Sequence, residues 1–230
     1  MMLKDDVVIV SGVGAGLGAK LATRAAAEGA KVVMAARSTE VMDQTAKEIA
    51  AAGGEAITVP CDVRKPEDVE RVVAAGVEQF GTITGLVNSA YSHPGFTDLL
   101  ETPDKQLRRA MDVILFGGLE MARATVPHMT NGGSIVNVGT MSTRRPLRGE
   151  AGYAVAKSAL GMASQYMALE LGEKGITEQE VYDDIASNIP VGRIPTDEAC
   201  AGAILYLLSP FASEVTGATL DVNGGEFMPT

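Results

Sequence analysis

Val7-Val8-Ile9-Val10-Ser11-Gly12-Val13-Gly14-Ala15-Gly16-Leu17-Gly18 is the stretch on which the fold turns. The apolar run reads as a buried strand and the glycines as a turn, and Leu21, Ala25 and Ala26 then recur at helical spacing. Gly12 permits a tight turn, Gly16 lets backbone approach a ligand, and Gly18 lets a helix pack closely on a sheet. A helix opening at this point aims its N–H groups and positive dipole end into the loop, which suits a pyrophosphate. Gly14, Ala15 and Leu17 complete that cradle. The spacing is G-x-x-x-G-x-G rather than G-x-G-x-x-G. A mere tight turn is the alternative, but the place between strand and helix favours the cradle.

The same alternation continues outward. Strands are predicted at Lys31 to Ala36, Ala56 to Pro60, Ile83 to Asn88, Gly133 to Val138 and Ala218 to Val222. Helices are predicted at Val41 to Ala52, Pro66 to Phe80, Asp104 toward Val126, the segment carrying Tyr153, and Asp197 to Leu208. Strands and helices in alternation argue an α/β fold, a doubly wound parallel sheet with helices on both faces. A chain of 230 residues suits a single domain. Ligands in such sheets bind beyond the carboxyl ends of the strands. The glycine loop, Arg37, Asp62, Asn88, Thr140 and Tyr153 all follow strand ends or lie just past them.

Dinucleotide folds often place an acid after the second strand to hold the ribose 2′-hydroxyl. Here Ala36 precedes Arg37 and Ser38. A guanidinium can grip a 2′-phosphate, so NADP is favoured and NAD remains possible. Arg37 as a solvated loop residue, or one stacked on adenine, is the competing reading. After the third strand, Cys61-Asp62-Val63 offers a carboxylate to an adenine amino group, or else a cap for a local turn. Asn88-Ser89-Ala90 closes the fourth strand on the same side.

Tyr153 and Lys157 stand four positions apart, and Leu160, Met167 and Leu171 follow at helical spacing. Residues at i and i+4 are neighbours on a helix. An ammonium beside a phenol favours the phenolate, and a tuned Tyr can exchange a proton with an alkoxide or an alcohol. A half-buried Tyr beside a solvated Lys is the plainer alternative.

The totals exclude several classes. Twenty-nine acidic residues against 19 basic ones give a net charge of −10, which disfavours non-specific binding to nucleic acid or an anionic membrane. Cys61 and Cys200 make no disulfide framework and read as buried thiols. His93 and His128 are isolated, so no metal site is expected. No signal peptide or membrane-length apolar run is seen, and a cytoplasmic setting is the default.

The chain resembles the short-chain dehydrogenase/reductase family over nearly its whole length. The matching residues are the glycine loop, Asp62-Val63, Asn88-Ser89-Ala90, Ser134 to Val138, Tyr153-x-x-x-Lys157, and Thr216 to Gly225. The resemblance implies a Rossmann-type fold and hydride exchange between a nicotinamide and a small-molecule ketone or secondary alcohol. It makes Tyr153 the acid/base, has Lys157 tune it and bind the nicotinamide ribose, and gives Thr140, 13 residues before the Tyr, the oxygen-polarising role of the usual Ser. Ser142 is a second candidate for that role. Homo-oligomers, tetramers or dimers, are common in the family.

Departures from the family pattern mark where this chain differs. Ile114 stands where family members carry an Asn in a proton relay, and Tyr91 follows Asn88-Ser89-Ala90 where a Gly is usual. Tyr91, Met141 and Ser142 are the expected substrate-side residues, on a rim that also carries His93, Phe96, Arg144 and Arg145. After Ile176 the family continues into a sixth strand and a substrate loop. Here Thr177-Glu178-Gln179-Glu180 reads as a helix start, so a segment between residues 176 and 177 is expected to be missing from this sequence. A nucleotide-binding sensor or scaffold without redox turnover, and an epimerase that recycles its cofactor, remain the alternative functions.

Overall fold

The computed structural model describes residues 1–183 and 196–222, with backbone alone for 178–183. The order is β1 (Val7–Ser11), α1 (Leu17–Ala27), β2 (Lys31–Ala36), α2 (Glu40–Ala51), β3 (Glu55–Pro60), α3 (Pro66–Phe80) and β4 (Gly85–Asn88). Then come α4 (Asp104–Met111), a π-helical segment (Asp112–Phe116), α5 (Gly117–Thr125), β5 (Gly133–Thr140) and α6 (Ala151–Leu171). The last elements among the described residues are β6 (Ile176–Asp183), α7 (Asp197–Leu208) and β7 (Thr219–Asp221). Among the described residues the strands form one seven-stranded sheet in the order β3-β2-β1-β4-β5-β6-β7. Every pairing is parallel. The strand order reverses between β1 and β4, so the crevice for a ligand opens beyond their carboxyl ends.

The central strands are buried on both faces, which is why they read as continuous apolar runs rather than alternating ones. Val8, Val10, Val32, Met34, Val87, Val136 and Val138 face one way and pack with α1, α2 and α7. Val7, Ile9, Val33, Ala35, Leu86 and Ile135 face the other way and pack with α3, α5 and α6. The period-2 pleat thus divides each strand between two cores.

Two expectations change. The long helix is not uniform, because a π-helical turn at Asp112–Phe116 separates α4 from α5. Such turns are rare and recur at functional sites. The stretch at Thr177-Glu178-Gln179-Glu180 is not a helix start but the body of β6, paired with β5 from Gly133↔Ile176 to Thr140↔Asp183. An empty slot between β5 and β7 would orphan two ladders of backbone N–H and C=O groups, and that demand outweighs the local helical pattern. The stretches Ile189 to Pro195 and Asn223-Gly224-Gly225, which also resemble the family, lie outside the described residues.

Candidate active site

The glycine loop is built as a cradle. Gly12 has φ +89°, and a Cβ there would come within 2.5 Å of Ala90 Cα. Only glycine tolerates both constraints. A Cβ on Gly18 would sit 2.7 Å from Gly12 O, so that glycine seats the loop against its own helix. At Gly14 nothing lies within 4 Å, which leaves the open side of the loop to an approaching ligand. Gly16 caps α1 without any side-chain hydrogen bond, and the first turn contains no acidic residue. The N–H groups of that turn therefore point unpartnered by side chains at the place a pyrophosphate would take, and these residues fit a dinucleotide.

One cleft joins this loop to the ends of β2, β3 and β4. It is lined by Gly12, Val13, Gly14, Ala36, Arg37, Ser38, Cys61, Asp62, Val63, Ala90 and Tyr91, and also by Arg64, Ser92, Arg109 and Val113. Half of the expected cofactor residues thus converge, although they come from four separate turns of the chain; Tyr153 and Lys157 are not among the residues that line this cleft. Arg64 and Arg109 were not foreseen. Forty-five positions separate them, and no local spacing signals that they meet.

Asp62 acts as a local cap. Its Oδ1 accepts from the Arg64 backbone N–H at 3.1 Å and from Arg64 Nε at 2.9 Å. The Arg64 side-chain hydrogen bonds hold the Asp62 carboxyl down at about 2, with burial opposing. An ionised carboxylate has further lone pairs, so this pairing leaves room for an adenine amino group. Cys61 is a buried thiol, pushed up to about 11 by burial and by the nearby Asp68 and Asp62, and Cys200 is buried as well.

Asn88, at the end of β4, is buried. Its side chain is 4% exposed and turned inward. Nδ2 donates to Asn137 Oδ1 at 2.9 Å and to Gly118 O at 3.3 Å. Asn137 in turn donates to Ser164 Oγ at 2.9 Å. This polar ladder ties β4 and β5 to α6, so the Asn88 amide nitrogen is engaged by the framework. Ser89 is held by its own backbone, whose N–H donates to Ser11 O at 2.9 Å.

Tyr153 and Lys157 lie on α6, and Lys157 Nζ stands 5.7 Å from the centroid of the Tyr153 ring. Lys157 is 1% exposed, and its Nζ donates to Val138 O near the end of β5. A buried ammonium needs such a partner. Thr140 ends β5, and its Oγ1 accepts from Ser142 N–H at 3.3 Å and lies 3.4 Å from Ser142 Oγ. Thr140 and Ser142 are 5% and 6% exposed, both at the rim of the sheet that Lys157 touches. Met141 is 1% exposed and buried, not on the rim where the sequence reading set it. Tyr91 and Phe96 do stand on the surface, at 65% and 79%. Ile114 packs in an apolar cluster with Ala110, Ala156 and Leu160, against Tyr153. It meets α6 with an aliphatic side chain at the position where the resemblance places an Asn in other family members.

Among the described residues there is no cluster of His, Cys, Asp and Glu that could hold a metal ion, and no helix long and apolar enough to cross a membrane.

Several known proteins are similar to this chain in sequence and fold. A family model described as enoyl-(acyl carrier protein) reductase matches residues 12–179 and 177–226. An uncharacterized oxidoreductase of Methylorubrum extorquens is 31% identical, over 97% of this chain and 98% of its own. Human dehydrogenase/reductase SDR family member 4 is 30% identical, over 97% of this chain and 88% of its own. A solved short-chain dehydrogenase/reductase from Serratia marcescens, a double mutant, superposes with TM-score 0.91 at 30% identity, covering 98% of this chain and 99% of that one. With a glycine loop at the switch point and a Tyr–Lys pair on α6, the chain belongs to the short-chain dehydrogenase/reductase family, NAD(P)-dependent oxidoreductases acting on CH–OH and C=O groups.

Proposed function

We propose that the protein interconverts a ketone and a secondary alcohol, with Tyr153 as the proton-exchanging group. The observation that carries this is the placement of the Lys157 ammonium 5.7 Å from the Tyr153 ring, inside the fold. A nicotinamide, when bound, supplies or takes the hydride at its C4. In the reductive direction Tyr153 Oη gives its proton to the developing alkoxide. Lys157 favours the phenolate left behind, and it would hold the nicotinamide ribose when the cofactor is bound. Thr140 Oγ1, with Ser142 beside it, donates a hydrogen bond to the substrate oxygen and fixes its direction. Replacing Tyr153 by Phe tests the assignment. Turnover should collapse with cofactor binding kept, and unchanged turnover would refute it.

NADP is the favoured cofactor. Arg37 and Ser38 line the adenosine end of the cleft, and Arg64 and Arg109 stand beside them. Arg37 is close enough to help hold Asp62 ionised, although the Arg64 hydrogen bonds do most of that. Arg37→Ala is expected to weaken NADPH at least about tenfold, the scale of a lost charge-assisted hydrogen bond, and NADH by much less. Titrations with both cofactors decide it, and an unchanged preference would remove Arg37 from this role.

A homo-oligomer is also proposed. Phe116, Val155, Met162, Tyr166 and Leu169 lie on the long helices and are all more than half exposed, an apolar face larger than scattered single residues make.

We further propose that a segment belongs between Ile176 and Thr177, whose residues would take the β6 slot that residues 177–183 fill in this chain. The two family-model matches meet at residues 177–179. The alignment to the Methylorubrum relative runs over 244 residues, longer than this 230-residue chain. Glu178, Gln179 and Glu180 stand in register with Ile135, Val136 and Asn137, where an interior parallel strand is ordinarily apolar. The protein isolated from its source is expected to have a mass above 23.9 kDa, and a mass equal to that value would end the idea.

A further inference from the structure

We infer that His93, clamped between the Gly95 amide and the Glu150 carboxylate, is a positioning residue that sets the direction of the Tyr153 phenol. The inference rests on the proton-exchanging role proposed for Tyr153. His93 lies in the loop after β4, far from Tyr153 in sequence. Gly95 N–H donates to His93 Nδ1 at 3.1 Å. A nitrogen that accepts carries no proton, so the ring proton is assigned to Nε2. Nε2 lies 3.1 Å from Glu150 Oε2 and donates to it. Both nitrogens are thus engaged, and the plane of the ring is fixed. The two side chains are largely covered, at 22% and 18% exposure.

Glu150 is the N-cap of α6, and Tyr153 is the third residue of that helix. Anchor and phenol therefore hang from the same turn. The His93 ring lies 5.4 Å from the Tyr153 ring with 32° between the planes. Phe96 packs on His93 at 4.6 Å and 33°. Tyr91 meets Tyr153 edge-on at 6.4 Å and 73°. These are favourable aromatic geometries, and together they confine the Tyr153 ring from two directions. The loop has no slack either. A Cβ on Gly152 would come within 2.7 Å of Pro94 Cγ, and one on Gly149 within 3.4 Å of Phe96. His93 itself does not exchange a proton with Tyr153 in this arrangement, since both its nitrogens are committed elsewhere. Its effect is on aim, and a reacting group misplaced by about 1 Å can cost about a hundredfold in rate.

The test uses the full chain, its preferred nicotinamide cofactor and the ketone best turned over in a screen of cyclic and linear ketones. His93→Ala and Glu150→Ala are each expected to lower kcat about tenfold, with the KM for cofactor changed by less than about twofold. The double variant should lose no more than the worse single one, because the two act as one clamp. His93→Phe keeps a ring against Tyr153 without the anchor, so it should recover part of the loss. Unchanged kcat, losses confined to KM, or losses that multiply in the double variant would each overturn the inference.

A second measurement is independent of turnover. In protein labelled with ¹³C on tyrosine, the Tyr153 ring signal is assigned by its disappearance in Tyr153→Phe. It should move alike in His93→Ala and Glu150→Ala, and an unmoved signal would refute the clamp. If Tyr153→Phe itself retains turnover, the parent reading fails, while the ring signal still judges the clamp.

Discussion

Tyr153→Phe is expected to lower kcat by about 10²–10⁴-fold, the usual contribution of a positioned acid or base. The exchange removes one oxygen and leaves the ring. The contacts with Tyr91 and His93 are made by ring faces and edges, so Phe keeps them. Packing against Ile114 and Leu160 is likewise kept. The glycine cradle and the Arg37 end of the cleft lie on other elements and should bind cofactor as before. Stopped-flow turnover measured beside cofactor fluorescence separates the two effects. A fall in kcat and kcat/KM together, with cofactor affinity held, is the signature of an interaction made only in the transition state. A variant that loses cofactor as well would mean that the phenol supports binding rather than proton exchange.

Gly12→Ala is expected to destabilise the fold by about 3 kcal/mol or more, through two mechanisms that add. Its φ of +89° disfavours any side chain, and the new Cβ would be driven against the backbone of Ser89 and Ala90. Backbone cannot rotate away as a flexible side chain can. The strain would spread to β4, whose last residue pairs with Ser11. For a domain of this size each kcal/mol corresponds to about 2–4 °C, so thermal unfolding should drop by about 6–12 °C. Cofactor affinity should fall too, because the loop that offers N–H groups is the part displaced. A melting temperature equal to the parent's would show that the turn relaxes at no cost. Gly14→Ala is the matched control. Open space surrounds that position, so it should leave the melting temperature nearly unchanged and disturb only what enters the cradle.

The sequence carried the fold further than it carried the site. The strand–glycine–helix opening, the helix at Asp197 to Leu208 and the strand at Lys31 to Ala36 stand where periodicity put them. Each depends on neighbours a few residues away. The inward turn of Asn88 was not legible. Its partners Gly118 and Asn137 are 30 and 49 positions distant, and an amide can serve a ligand or a framework equally well. Arg64 was invisible for a different reason, since a surface arginine after a strand is ordinarily solvated. Only the Asp62 carboxylate, brought to it by a tight turn, gives it a fixed place.

By itself the sequence determined the glycine cradle and the Tyr153–Lys157 pair, because turn conformation and i,i+4 adjacency follow from local backbone geometry. Tertiary structure decided that Thr177 onward lies as a strand, that Met141 is buried, and that His93 reaches Glu150 across 57 positions. Those outcomes depend on filling a sheet and seating a loop against a helix. No stretch of chain can settle them until the segments distant in sequence have packed together.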